Sequence, residues 1–150
     1  MVQKITPFLW FDDVAEEAAK FYVSIFPNSE VTWVTPGPNG KAQWVSFDLM
    51  GQPLYALNGG PMFKLTEALS LFVSCDGQEE VDKYWNALSE GGDPASQRCG
   101  WLKDKYGLSW QIIPKRFHEL LADPDKEKAA RVMAAMMKMK KIIIADLETA

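Results

Sequence analysis

The strongest constraint on how this chain folds is that it repeats itself. Glu16-Glu17-Ala18-Ala19-Lys20-Phe21-Tyr22 falls on Glu79-Glu80-Val81-Asp82-Lys83-Tyr84-Trp85 at an offset of 63, and the same offset carries Asp13 onto Asp76. Later in each copy the offset shortens to 56, so that Gly51-Gln52-Pro53-Leu54-Tyr55-Ala56-Leu57 meets Gly107-Leu108-Ser109-Trp110-Gln111-Ile112-Ile113. Two copies make a duplicated supersecondary unit, because a solenoid needs about three or more repeats to bury its faces.

Each copy reads as the same series of elements. Ile5 to Phe11 is apolar without polar alternation, the pattern of a strand covered on both faces. Asp12 or Asp13 is placed to cap a helix, Glu16 and Glu17 suit its first turn, and Ala18, Phe21, Tyr22 and Ile25 recur at helical spacing until Pro27. Val31 to Thr35 reads as a strand and Pro36 to Gly40 as a loop. Lys41 to Met50 alternates Ala42, Trp44, Ser46 and Asp48 against Gln43, Val45, Phe47 and Leu49, so it is a strand with two distinct faces. Leu54 to Leu57 is a fourth strand, ending at Asn58-Gly59-Gly60-Pro61. The first unit is therefore βαβββ.

In the second copy Leu69 to Cys75 is a strand and Glu79 to Leu88 a helix ended by Gly91-Gly92. Gln97 to Asp104 must supply shortened middle strands before a last strand near Gly107 to Ile113. Lys115 to Ala122 is a short helix. Asp123-Pro124-Asp125 then opens another, with Asp as cap and Pro at the first helical position, running from Lys126 to Lys141. Ile142 to Ile144 and Ala145 to Ala150 add a final turn that docks on the body or on a partner subunit. The expected fold is one α+β domain over 1–150, with repeat 1 at about 1–62, repeat 2 at about 66–114 and a helical tail at about 115–150. A 47% hydrophobic fraction is ample for one core at this length.

Charge and composition exclude several function classes. Lys and Arg number 16 against 20 Asp and Glu, a net charge of −4 that gives no general affinity for nucleic acid. Lys138, Lys140 and Lys141 lie beside Met133, Met136, Met137 and Met139 on an expected helix, a solvated edge next to packing methionines. The N-terminal apolar residues are broken by Lys4, Pro7, Asp12 and Asp13, so neither a signal segment nor a membrane span is expected, and the location expected is cytoplasmic. Cys75 and Cys99 lack metal-finger spacing and read as reduced, packed thiols. His118 is the single histidine. Any mechanism needing two imidazoles is ruled out, and His118 reads as a surface residue.

Two βαβββ units, with Phe11-Asp12-Asp13 before a helix carrying Phe21-Tyr22, resemble the glyoxalase and bleomycin-resistance superfamily, the vicinal oxygen chelate proteins. Thr6-Pro7-Phe8-Leu9-Trp10-Phe11, Phe26-Pro27-Asn28-Ser29, Cys99-Gly100-Trp101-Leu102-Lys103-Asp104 and Gly107-Leu108-Ser109-Trp110-Gln111-Ile112 are similar to its PhnB-like branch, the demethylubiquinone methyltransferase-like domains. Arg131-Val132-Met133 and Met137-Lys138-Met139-Lys140-Lys141 extend the resemblance into the tail. It implies a curved mixed sheet, a homodimer and one pocket per pair of units.

Metal-dependent members of that superfamily place a ligand on the first and last strand of each unit. The offsets put those positions at Pro7 and Ser70, and at Tyr55 and Gln111. Proline has no side-chain donor, neutral serine and tyrosine hydroxyls ligate poorly, and Gln111 alone cannot hold an ion. A shift from Pro7 to Thr6 supplies only another neutral hydroxyl. No metal or other cofactor is therefore expected, and isomerase or dioxygenase chemistry through a Lewis acid is not supported. A metal-free acid–base enzyme would have only Tyr55, Ser70 and Gln111 to draw on, none a strong base. Methyl transfer from adenosylmethionine would need a glycine-rich turn opening a helix, and Gly59-Gly60 runs instead into Pro61-Met62-Phe63.

The remaining expectation is a small-molecule pocket between curved strands. Its aromatic candidates are Trp10, Trp44, Tyr55, Phe72, Trp101 and Trp110, and its polar candidates are Ser46, Asn58, Ser70 and Gln111. Such a lining suits a planar or amphipathic ligand. The competing readings are an enzyme of the superfamily and a dimeric scaffold whose pocket is vestigial.

Overall fold

Residues 4–150 are described by the structure, a computed structural model, and they divide between two units, 4–65 and Thr66–Ala150. The first contains β1 (Phe8–Phe11), α1 (Ala15–Ile25), β2 (Glu30–Pro36), β3 (Ala42–Leu49) and β4 (Gln52–Asn58). Its sheet runs β1-β4-β3-β2, with β1 parallel to β4 and the other pairs antiparallel. Parallel neighbours need a long crossover, which α1, β2 and β3 provide. Ala15, Ala18, Ala19, Tyr22 and Ile25 form the buried stripe of α1. The small alanines let the helix lie close over Leu9, Phe11, Val45, Phe47, Leu54 and Ala56, all buried. Each large apolar side chain so covered contributes about 1.5–3 kcal/mol.

β1 begins at Phe8, three residues later than the apolar run implied, and Ile5 is exposed. The strand is covered on one face only: α1 lies over Leu9 and Phe11, while Phe8 and Trp10 point the other way. Neither Asp12 nor Asp13 caps α1. The Asn58 side chain does so from β4, its Oδ1 accepting from the Ala15 N–H at 2.8 Å while its Nδ2 donates to the Ala42 carbonyl at 2.7 Å. Pairing of Phe11 with Asn58 brings this amide to the chain leaving β1.

The second unit contains β5 (Ser70–Cys75), α2 (Gln78–Ser89), β6 (Trp101–Lys103) and β7 (Ser109–Pro114), in the sheet order β5-β7-β6. β5 is parallel to β7, and β6 is antiparallel to it. The buried positions Ala18, Tyr22 and Ile25 of α1 recur in α2 as Val81, Trp85 and Leu88. This unit has one middle strand where the first has two. A 3-10 turn at Pro94–Ser96 and a single bridge between Arg98 and Trp101 stand in place of the missing one. That loss accounts for the shortened offset. The strands thus form two mixed sheets, one in each unit.

Trp110, an expected pocket residue, lies in the core of this unit at 2% exposure. Its Nε1 donates at 2.8 Å to Oδ2 of buried Asp104, whose Oδ1 accepts from the backbone N–H of Tyr106 at 2.8 Å and of Leu108 at 3.1 Å. The carboxylate therefore organises the β6–β7 hairpin and fixes the indole inward.

The tail forms α3 (Lys115–Leu121), α4 (Lys126–Met136) and α5 (Ile144–Glu148). They enclose a cluster of Ile113, Phe117, Leu120, Val132, Ile142 and Leu147, so the tail docks on its own unit. Asp125, not Asp123, caps α4, accepting from the N–H of Glu127 at 3.0 Å and Lys128 at 3.3 Å. Asp123 accepts from the Asp125 N–H, and that bond, with Lys128, holds its carboxyl below the usual range. α4 stops at Met136 because Cys99 and Gly100 N–H groups bond the Met139 and Lys140 carbonyls at 2.8 Å each, drawing the chain out of the helix. Among the described residues no helix is long and apolar enough to cross a membrane.

Two substitutions test these buried ties. Asn58→Ala should destabilise the chain by about 2 kcal/mol and Asp104→Ala by about 3 kcal/mol, since each strands several polar groups. Urea unfolding read by circular dichroism measures both. A loss below about 0.5 kcal/mol for either would contradict the role given to it.

Candidate ligand-binding site

Strand alternation and register gather an aromatic group on the face of the first sheet opposite α1. Phe8 pairs with Tyr55, Tyr55 pairs with Ser46, and Trp44 precedes Ser46 by two residues on the same face. The Phe8 and Trp44 rings meet edge to face at 4.5 Å, Phe8 and Tyr55 at 5.6 Å, and Trp44 and Tyr55 at 5.2 Å. Such contacts hold the rings in defined orientations. Phe8 remains 42% exposed and Trp44 39% exposed. The Trp44 Nε1 donates to Ser46 Oγ at 3.1 Å, which leaves the serine proton for another acceptor.

Trp33 lies opposite Ser46 on β2, is 65% exposed, and donates from Nε1 to Thr35 Oγ1 at 2.9 Å. Neither Phe8 nor Trp33 is among the residues singled out from the sequence. The signal for Phe8 was present, because it precedes Trp10 by two residues, whereas Trp33 needed the β2–β3 register.

Trp10 is held by the turn that follows β4. Its Nε1 donates to the Gly60 carbonyl at 2.9 Å, its ring meets Phe63 edge to face at 4.9 Å, and a Cβ at Gly59 would overlap the indole. The Gly59 and Gly60 N–H groups donate to the Phe11 and Asp12 carbonyls at 2.9 and 3.2 Å. With both amides engaged and a turn following, this glycine pair does not fit the cofactor loop that adenosylmethionine binding requires.

In the second unit Gln111 is flanked in register by Phe72 and Trp101. Its Nε2 donates to Ser70 Oγ at 2.9 Å. Phe72 is 49% exposed and its ring lies 5.9 Å from that of exposed His118. Trp101 faces a cleft beside α4. Asn58 and Trp110 serve the packing described above, and the other eight candidates lie on or beside an open sheet face.

Register also refines the repeat. Phe8 pairs with Tyr55 as Phe72 pairs with Gln111, and Phe11 pairs with Asn58 as Cys75 pairs with Pro114. The first strands therefore correspond at an offset of 64, one more than the helices, while the last strands keep 56. Ser70 thus corresponds to Thr6, and Pro7 falls on the opposite parity, its carbonyl accepting from the Tyr55 N–H at 3.0 Å.

These positions do not fit a divalent ion. Thr6, Tyr55, Ser70 and Gln111 offer neutral oxygen or amide donors, Ser70 and Gln111 are engaged with one another, and hard divalent ions want carboxylate or imidazole. Among the described residues no three His, Cys, Asp or Glu side chains group to hold a metal.

Comparison with known proteins follows the same lines. A family model described as 3-demethylubiquinone-9 3-methyltransferase matches residues 3–113, ending at the last strand. A search of curated proteins finds no match. Among solved structures, a PhnB protein from Bacillus cereus is 36% identical, covering 75% of this chain and 99% of its own, with a TM-score of 0.67. Protein PA1353 from Pseudomonas aeruginosa is 20% identical, with 75% and 98% covered and a TM-score of 0.61. The fosfomycin resistance protein FosX from Listeria monocytogenes, solved with Mn(II) and 1S,2S-dihydroxypropylphosphonic acid, is 18% identical, with 73% and 90% covered and a TM-score of 0.52. The last two share the fold. The family match and the PhnB relative together show that the chain belongs to the PhnB-like 3-demethylubiquinone-9 3-methyltransferase family.

Proposed function

We propose that this chain binds a planar aromatic or amphipathic small molecule on the Phe8, Trp44 and Tyr55 face, without help from a divalent metal. The observation that carries the reading is three mutually oriented rings left partly exposed on one sheet face. Ordered rings offer contact area at little entropic cost, and stacking adds about 0.5–1.5 kcal/mol for each aromatic pair. The Ser46 and Tyr55 hydroxyls lie in register beside them and suit a carbonyl or phenol oxygen on the ligand. The family description names a demethylubiquinone, a planar ring bearing oxygens, and that class fits this face. It also names methyl transfer, but the engaged Gly59 and Gly60 amides give that chemistry no support.

The proposal includes a homodimer, in which a second copy shields exposed sheet aromatics. Light scattering at micromolar concentration should return twice the chain mass, and a strict monomer would remove this part of the reading.

Fluorescence titration with menadione and ethidium should show saturable tryptophan quenching. Trp44→Ala and Tyr55→Ala should each weaken binding by about tenfold, equivalent to about 1.4 kcal/mol, with the fold retained. Absence of saturable quenching by either compound, or unchanged affinity in both variants, would reject this face as the site.

A further inference from the structure

The second unit holds another cleft, of about 520 Å³, between α4 and the loop before β6. Nine residues line it, and four of them, Cys99, Met133, Met136 and Met137, carry sulfur. The Cys99 Sγ lies 3.8 Å from the Met137 Sδ. We propose that this cleft is a site for a soft monovalent metal ion, Cu(I) above all, held by the Cys99 thiolate and the thioethers of Met137 and Met133.

Three features support the assignment. Two sulfurs at that separation can each lie about 2.3 Å from one ion while subtending an angle near tetrahedral. Met133 lies four residues before Met137, about one helical turn away, and lines the same cleft, which places a third sulfur on the same side. Cys99 itself is held in the left-handed region at φ 52°, a conformation that a non-glycine residue rarely adopts. Bonds from the Cys99 and Gly100 N–H groups to the Met139 and Lys140 carbonyls maintain it, so the loop and the end of α4 are tied together where the two sulfurs meet.

Charge selects the ion. Thiolate and thioether donors prefer soft Cu(I) over hard oxygen-seeking cations. One thiolate with one monovalent ion is neutral overall, which suits the Trp101 and Phe117 walls and adds no positive charge beside Arg98, whereas a divalent ion would leave a net positive charge against all three. On binding, the Cys99 S–H bond breaks, its proton passes to solvent and a sulfur–copper bond forms. The thioethers contribute lone pairs only, and copper enters and stays as Cu(I). The thiol now donates to the Met137 carbonyl at 3.5 Å, a weak contact to give up. Cys75, fully enclosed and with its thiol pushed up to about 12 by burial, offers no comparable group.

Anaerobic titration of the full chain with Cu(I), against bicinchoninate as competitor, tests the site. One ion per chain is expected, with near-ultraviolet thiolate-to-copper absorption. Met137→Leu and Met133→Leu should each weaken binding by at least about tenfold. Cys99→Ser should abolish the absorption, and Cys75→Ser should leave stoichiometry unchanged. Circular dichroism checks that Cys99→Ser folds. Met137 is 59% exposed, so its variant gives a decision independent of core packing. Native affinity in Met137→Leu, or retention of the ion by folded Cys99→Ser, would overturn the proposal.

Discussion

The parallel pairing of the first strand with the last is the contact on which each unit depends. Hairpins alone would build a meander from β2 to β4, but only the return of β4 to β1, and of β7 to β5, closes the unit. That closure sets the register that places Tyr55 beside Phe8 and Gln111 beside Phe72. It also leaves each helix on one face of its sheet. On the opposite face the first sheet carries its partly exposed aromatics, while in the second the tail covers that face at Ile113 and leaves Phe72 and Gln111 beside it.

The two copies satisfy the polar demands of closure differently. In the first, Asn58 at the end of β4 reaches the start of α1 and the start of β3. The corresponding residue in the second is Pro114, whose side chain has no hydrogen-bonding group and which leads into α3. There the Glu80 carboxylate accepts from the Asp76 N–H at 3.2 Å, and Asp104 organises the last hairpin. The second copy has one middle strand fewer, and beside its Trp101 the end of α4 lines a cleft with methionines. One duplicated plan thus carries two dissimilar surfaces, aromatic in one unit and sulfur-rich in the other.

Several residues show how far local pattern reaches. Alternation reads the faces of β3 from Trp44 onward, with Val45, Phe47 and Leu49 buried and Trp44 and Ser46 opposite, but it fails at the start, where an irregularity in the β2 pairing leaves Ala42 buried and Gln43 exposed. The same logic fails for β1, where four apolar residues in succession conceal that Phe8 and Trp10 face away from the helix. Trp44 and Trp110 are both strand tryptophans. One is open and the other enclosed because Asp104, six residues earlier, satisfies the Trp110 indole inside the core. The caps are shifted for a similar reason: Asp13 carries an ion pair with Lys41, and Asn58, remote in sequence, takes the position it would have filled.

By itself the sequence determined the duplication, the order of most elements, the helical tail and the residue types at Thr6, Tyr55, Ser70 and Gln111, none of them a carboxylate or an imidazole. Those properties follow from residue type and short-range period, which a linear chain displays. Tertiary structure alone decided the one-residue change of offset between the first strands, the replacement of local caps by Asn58, and which aromatics are open. It also brought Cys99 and Met137 together from positions far apart in the chain. These depend on strand register and on side chains meeting across long loops, and neither leaves a periodic trace in the sequence.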